Sequence, residues 1–335
     1  MSIQQYRALK QGGPFALSTV PKPTPGPKQI SVRPKAVALN PIDWKNLKFG
    51  AIVKSWPAVL GIDAAGIVES VGDGVTAFKP GDEVLTFANG LVGNGAFQEV
   101  YVVSENQAAK KPASLTFEEA ASLPICFLTG AAAVATGLKV PLPGLSKTDD
   151  SIGKSLKSIL VLGGSSAVGS AAIQLLRLAL PSATIITTSS AAHHAHLKSL
   201  GATVTLERSA QQNSAVLKAA TPGGLGVDAI LDPLGAGAEA PAVYDAARPD
   251  GPKLYSLVLT NPGAKIPEGF QGAIVDGRDI YSEPDPLGYL ARLVEEGKYK
   301  VPVKVDVVGK GFEAIEGGLD KLFKGVSGTK LVVSL

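Results

Sequence analysis

At 335 residues the chain exceeds what one hydrophobic core usually supports, so about two domains are expected. With 45% hydrophobic and 18% charged residues it is a globular sequence with a large core, and a formal net charge of +3 without any basic run argues against binding to nucleic acid or a membrane surface. The one cysteine, Cys126, excludes an internal disulfide and a cysteine-rich zinc lobe; with a polar N-terminus and no uninterrupted apolar run of about 18 residues, it points to the cytoplasm.

From Phe15 to Val37 the chain is punctuated by Pro21, Pro23, Pro25, Pro27 and Pro34, a density that excludes helix interiors and predicts loops and edge strands. Ala36–Leu39 leads into Asn40-Pro41-Ile42-Asp43-Trp44-Lys45. Ala65–Val71 and Glu83–Phe87 read as strands, with Gly72-Asp73-Gly74 and Pro80-Gly81-Asp82 as turns, and Gly95–Val103 as another strand. Together they predict an antiparallel β domain. Thr116 caps a helix ahead of Glu118 and Glu119. The apolar, small-residue stretch Leu123–Leu138 is a buried helix leading into a second domain, and Val140–Lys157, rich in Pro, Gly, Ser and Asp, reads as a surface insertion.

Ser158–Leu180 organises that second domain. An apolar strand (Ile159–Leu162), a small-residue turn (Gly163-Gly164-Ser165-Ser166) and an amphipathic helix follow one another. Such a turn aims backbone N–H groups and the positive end of a helix dipole at one spot, which suits a pyrophosphate. Gly164, Ser166 and Gly169 occupy the glycine positions of a dinucleotide fingerprint, with a serine in the middle that trades close backbone approach for a hydroxyl. A second strand follows at Thr184–Thr188. At its end, where an NAD enzyme carries Asp or Glu, stand Ser189 and Ser190. Without a carboxylate to repel a 2′-phosphate, NADP is the expected cofactor, although no Arg or Lys lies at that turn.

A helix with His193, His194 and His196 then runs to Gly201. Ala202–Leu206, Ala210–Ala220, Val227–Leu231, Ala238–Ala247 and Lys253–Leu259 alternate strand and helix, as in a doubly wound sheet. In the tail, Leu287–Glu296 and Gly311–Phe323 look helical and Val301–Val308 and Lys330–Val333 extended, so the chain is expected to return to its first domain.

Several separated segments resemble the medium-chain dehydrogenase/reductase superfamily: Gly61-Ile62-Asp63-Ala64-Ala65-Gly66-Ile67-Val68, Pro80-Gly81-Asp82-Glu83-Val84, Gly164–Gly169 and Val326–Val333. Asn40–Lys45 and the insertion after Leu138 are most similar to its zinc-independent, quinone-oxidoreductase-like branch, which includes fungal enoyl reductases acting in trans with polyketide synthases. The resemblance implies an α/β fold with a GroES-like β-rich catalytic domain (1–125 and 263–335) and a doubly wound Rossmann-type NADP-binding domain (126–262). Zinc-dependent members place a Cys near the position of Asn40, a His-Glu pair at Ile62-Asp63 and a four-cysteine lobe elsewhere. None of these ligands is present here, so no metal is expected and Lewis-acid alcohol oxidation is disfavoured.

The implied chemistry is NADPH-dependent hydride transfer to an activated C=C of an enoyl thioester or α,β-unsaturated ketone, a small-molecule substrate with a conjugated carbonyl. A polyketide synthase is the implied partner. Quinone reduction and a non-catalytic NADP-binding sensor or partner subunit are the competing readings. Lys45 is the candidate donor to a developing enolate or a ribose contact, against an ion-paired surface lysine; Thr129 is a candidate neighbour of substrate and nicotinamide, against a capping or packed threonine. Asn40 and Asp43 read as loop supports. Cofactor contacts are assigned to Ile42, Asp43, Lys45, Ser165, Ser166, Ala167, Val168, Ser189, Ser190, His193, Leu234 and Val258. The histidine cluster otherwise reads as solvated.

Overall fold

The computed structural model describes residues 1–145, 151–281 and 283–335. The chain divides into two units, one made of Met1–Ile125, Leu290–Gly297 and Lys304–Leu335, the other of Cys126–Tyr289 and Lys298–Val303. The return expected at residue 263 comes instead at Leu290, because Gln271–Val275 still belongs to the second unit's sheet.

The first unit opens with β1 (Ser2–Ala8), β2 (Phe15–Pro21), β3 (Gln29–Ala38), α1 (Pro41–Phe49), β4 (Ala58–Val59), β5 (Asp63–Val71), β6 (Glu83–Phe87), β7 (Tyr101–Ser104), β8 (Ala108–Lys110) and α2 (Phe117–Ala121). The sequence reading missed β1, a strand whose side chains alternate between core and surface between β2 and β4. It also misplaced β3. That strand carries Pro34 yet lies inside the sheet, antiparallel to β5, and its register shifts between Pro34 and Ala36. The missing N–H therefore falls at a bulge, where no ladder bond is needed. Gly66 sits opposite, and a Cβ there would lie 2.2 Å from Arg33 O. Of the strand expected over 95–103, the end pairs within β7 (Tyr101–Ser104), and Gln98 makes an isolated antiparallel bridge to Gln5. The cap of α2 is as expected: Thr116 Oγ1 accepts from Glu119 N at 3.1 Å and Glu119 Oε2 accepts from Thr116 N at 3.0 Å.

Next come α3 (Pro124–Ala132), extended by a wider π turn over Ala133–Gly137, and α4 (Ser151–Ser155). Phe117–Gly137 is long and apolar enough to cross a membrane, but 89% of its most apolar window is buried in the protein, as in a core helix. The stretch read as a surface insertion is packed at both described ends: Val140, Leu142 and Leu145 are buried, and a Cβ on Gly153 would lie 1.8 Å from Lys139 O. Its residues 146–150 lie outside the described residues.

The second unit continues through β9 (Ser158–Val161), α5 (Ala167–Ala179), β10 (Thr184–Ser189), α6 (His194–Ser199), β11 (Val204–Glu207), α7 (Ser214–Ala219), β12 (Ala229–Asp232), α8 (Ala242–Asp245), β13 (Leu254–Val258) and β14 (Gln271–Val275). All pairings are parallel, in the order β11-β10-β9-β12-β13-β14. This is the doubly wound order of a dinucleotide-binding sheet, and its direction of winding reverses beside β9. Leu160, Ile186, Ile230, Tyr255 and Leu257 build its buried core.

The chain closes with α9 (Pro286–Glu295), β15 (Lys304–Lys310), α10 (Ala314–Lys324) and β16 (Thr329–Ser334). β16 pairs with β15 on one side and β3 on the other, so the first unit's larger sheet is completed by the last residues of the chain.

Candidate functional site

The turn after β9 is a cradle built for close backbone approach. Gly163 has φ +57, a left-handed conformation that glycine adopts without cost, and a Cβ there would lie 2.3 Å from Leu234 Cδ1. A Cβ on Gly164 would lie 2.0 Å from Thr187 Oγ1, and one on Gly169 would lie 2.6 Å from Gly163 O. Ser166 is the N-cap of α5: its Oγ accepts from Gly169 N at 3.0 Å, and its own hydroxyl proton remains able to donate outward. Ser170 Oγ donates to Gly164 O at 2.7 Å and fastens the turn to the helix. Ser165 is buried, whereas Ser166, Ala167 and Val168 are half-buried at the start of a 13-residue helix. A pyrophosphate fits this arrangement of glycines, N-terminal amides and a free hydroxyl.

The cradle lies at the carboxyl ends of the strands where the winding reverses, and other expected residues share that edge. Leu234 is 52% exposed and lies against Gly163. Val258 is the last residue of β13 and is buried. Ser190 follows β10 and is half-buried. Ser189 departs from its expected role: it is fully buried, and its hydroxyl donates to Ser190 O at 3.2 Å. Of the histidines, His193 is half-buried in the turn after Ser190, His194 Nε2 lies 3.3 Å from Ser189 O, and exposed His196 places Nε2 2.9 Å from Pro302 O.

Asp232, which the sequence reading passed over, builds the neighbouring turn. Its Oδ1 accepts from Leu234 N (3.1 Å), Gly235 N (2.8 Å) and Ala236 N (3.0 Å), and its Oδ2 from Gly237 N (2.8 Å) and the Tyr255 hydroxyl (2.7 Å). Burial, then the Asp232 charge beside it, pushes the Tyr255 phenol well above the usual range, so it stays a donor. This nest holds Leu234 over the fingerprint and breaks the helix expected over 238–247, leaving only Ala242–Asp245. An Asp before Pro-Leu-Gly was the available signal.

In the first unit, α1 carries the other candidates. Asp43, expected among the cofactor contacts, is fully buried and turned into its own loop: Oδ2 accepts from Asn40 N at 2.9 Å and Oδ1 from Gly61 N at 3.1 Å. It is a support, as its other reading has it. Burial pushes its carboxyl up to about 7, with the Asp63 charge adding and the two N–H groups and Lys330 opposing. Beside it, Asp63 Oδ2 accepts from Asn40 Nδ2 at 3.0 Å and from Lys330 Nζ at 3.1 Å, while Oδ1 accepts from Ile125 N at 2.9 Å. The Lys330 ammonium also donates to Asn40 Oδ1. Ile42 and Lys45 are half-buried on α1; Lys45 Nζ sits 5.7 Å from the Trp44 ring centroid, and burial lowers its pKa. Thr129 is buried within α3, five residues past its start, so it is not a cap.

Residues 26–113 match the alcohol dehydrogenase GroES-like domain, and residues 167–256 match the zinc-binding dehydrogenase domain. The dehydrogenase orf1 of Aspergillus niger is 33% identical, with 96% of this chain and 95% of that protein covered. The chain belongs to the medium-chain dehydrogenase/reductase superfamily. The trans-enoyl reductase tndF of Aspergillus flavipes is 32% identical over 97% of this chain and 96% of its own length. An alcohol dehydrogenase superfamily protein from Novosphingobium aromaticivorans shares the fold, with TM-score 0.81 and 24% identity over 99% of each chain. The protein is thus an oxidoreductase of this superfamily with a Rossmann-type nucleotide domain of the NAD(P) kind.

A tetrahedral zinc site draws on thiolate, imidazole and free carboxylate ligands. The oxygens of Asn40 and Asp63 are committed to the Lys330 ammonium, to an amide and to the Ile125 N–H, and neither a thiolate nor an imidazole accompanies them. Among the described residues no three His, Cys, Asp or Glu side chains come together as a ligand set.

Proposed function

We propose that this chain is an NADPH-dependent reductase of activated carbon–carbon double bonds, acting without zinc on enoyl thioesters or α,β-unsaturated ketones. The observation that carries the reading is the buried Lys330–Asp63–Asn40 group. Asn40 and Asp63, which the resemblance sets against the Cys and the acid of the His-Glu pair of zinc-dependent members, are here bonded to the Lys330 ammonium, and this supports chemistry that needs no Lewis acid. Full-length similarity to a trans-enoyl reductase supports the choice of acceptor.

When bound, NADPH supplies the hydride. The chain's own residues hold, orient and donate. Gly163–Gly169 and the N-terminus of α5 take the pyrophosphate, Ser166 adds its hydroxyl, and Leu234 and Val258 offer apolar surface at the same strand ends. Negative charge grows on the substrate carbonyl oxygen as the β-carbon is reduced, and a donor placed there lowers the barrier. Lys45 fits that role, since desolvation lowers its pKa and brings its proton closer to transfer while the ammonium remains a strong donor. Thr129, buried in α3 of the second unit, is the candidate hydroxyl beside the nicotinamide. A substrate carried as a thioester on a polyketide synthase follows from the same reading, as does a cytoplasmic setting.

The test is NADPH oxidation by the purified chain over crotonyl-type enoyl thioesters, enones and quinones, with NADH as comparator. Turnover of thioesters or enones ahead of quinones is expected, and Lys45→Ala is expected to lower kcat about a hundredfold with NADPH affinity retained. Quinone-only turnover would assign the quinone reading, and NADPH binding without turnover of any acceptor would assign a sensor.

A further inference from the structure

The turn after β10 offers no Arg or Lys of its own in the sequence, yet the sheet brings one to it. β10 and β11 run parallel with Ser189 opposite Glu207, so the next residues, Ser190 and Arg208, leave the sheet side by side on strands about 4.8 Å apart. The turn that begins at Arg208 is tied to the same strand end, because Gln211 Nε2 donates to Thr188 Oγ1 at 2.6 Å. Arg208 is exposed, and Ser190 is half-buried. Glu207 ends β11 in extended backbone, with φ −62 and ψ 152, and Arg208 opens the 3-10 turn that follows it. Ser189 leaves the role of phosphate donor open, since its hydroxyl is turned inward to Ser190 O.

We propose that Arg208 selects NADPH over NADH, its guanidinium pairing with the 2′-phosphate while the Ser190 hydroxyl donates to the same group. The proposal rests on the NADPH reading and names the residue that carries it. A guanidinium matches a phosphate with two parallel N–H bonds and stays charged at every working pH. A ribose 2′-hydroxyl gives it no charge to pair with, so the preference follows from one contact.

Calorimetric titration of the full chain with adenosine 2′,5′-bisphosphate and with adenosine 5′-monophosphate, which differ only in the 2′-phosphate, reads this contact without turnover. Wild-type protein is expected to favour the bisphosphate. Arg208→Gln is expected to weaken it about ten- to a hundredfold and leave adenosine 5′-monophosphate unchanged, with Arg208→Lys in between. Undiminished bisphosphate affinity in Arg208→Gln overturns the assignment while the NADPH reading stands. Equal weakening of both ligands would place Arg208 against the adenosine and overturn it as well. Equal affinities in the wild type would remove the NADPH reading and this proposal together. Arg208 is exposed and caps no core, so the variant's thermal transition should match the wild type and confirm that folding is not the readout.

Discussion

Asp43 is a carboxyl placed where its charge is expensive. Its folded-state pKa of about 7 lies above the value near 3.9 of an unfolded chain, so between those limits the folded state holds a proton that the unfolded state has released. Stability from this group is therefore complete below about pH 4 and lost as pH rises through 7, a swing on the order of 4 kcal/mol. Urea unfolding at intervals from pH 4.5 to 7.5 should show wild type losing more stability with rising pH than Asp43→Asn, in which this slope is removed. Parallel curves for the two proteins would mean that Asp43 is ionised throughout. Asn40 and Asp43 read as loop supports from sequence, and the structure supplies the device: Asn-Pro opens a helix and an acid three residues on reaches back to it. It could not mark Lys330 as their partner. That lysine arrives from 290 residues away, and a Gly-Thr-Lys at the start of an apolar strand carries no local sign that its ammonium will be buried.

Asp232 shows how one side chain can shape an element. Four backbone N–H groups and a phenol converge on its carboxylate, so removing it leaves donors unpaired in a turn that has no other acceptor built for them. Asp232→Ala is expected to cost about 3 kcal/mol or more in denaturant unfolding, and to weaken nucleotide binding, because Leu234 loses its place over Gly163. Full stability in that variant would show the turn to be held by its backbone alone. The elements that sequence made legible have strong local signals: β6 between its turns, α2 with its cap, and the strand, glycine turn and amphipathic helix of β9 and α5. The ones it hid are held by distant partners. β1 is polar and alternating and becomes a strand only between β2 and β4, Pro34 is tolerated in β3 only because a bulge meets it, and β14 has exposed residues on most of its length and reads as loop until β13 is beside it.

For the molecule as a whole, the first unit's seven-stranded sheet and the second unit's six-stranded sheet each have a buried cluster. Leu331 and Val333 belong to the core of the first unit, and no residue of 329–335 belongs to the core built on β9, β10, β12 and β13. The superfamily resemblance was readable because its motifs are scattered along the full chain, but the late return at Leu290 was not, since nothing in Gln271–Val275 alternates like the strands before it. Deleting residues 329–335 takes β16 from between β15 and β3, removes three fully buried side chains at roughly 1.5–3 kcal/mol each, and leaves Asp63 without its ammonium. That sum is comparable to the whole stability of a typical domain, and the pairing charge lost with Lys330 adds to it. Hydrogen exchange should therefore find the amides of β3 and β5 deprotected in the truncated chain while those of β9, β10 and β12 keep their protection, and adenosine 2′,5′-bisphosphate should still slow exchange in the Gly163–Gly169 turn. Loss of protection in both sheets together would instead show that the two cores unfold as one cooperative system, with the last strand stabilising the nucleotide sheet as much as its own.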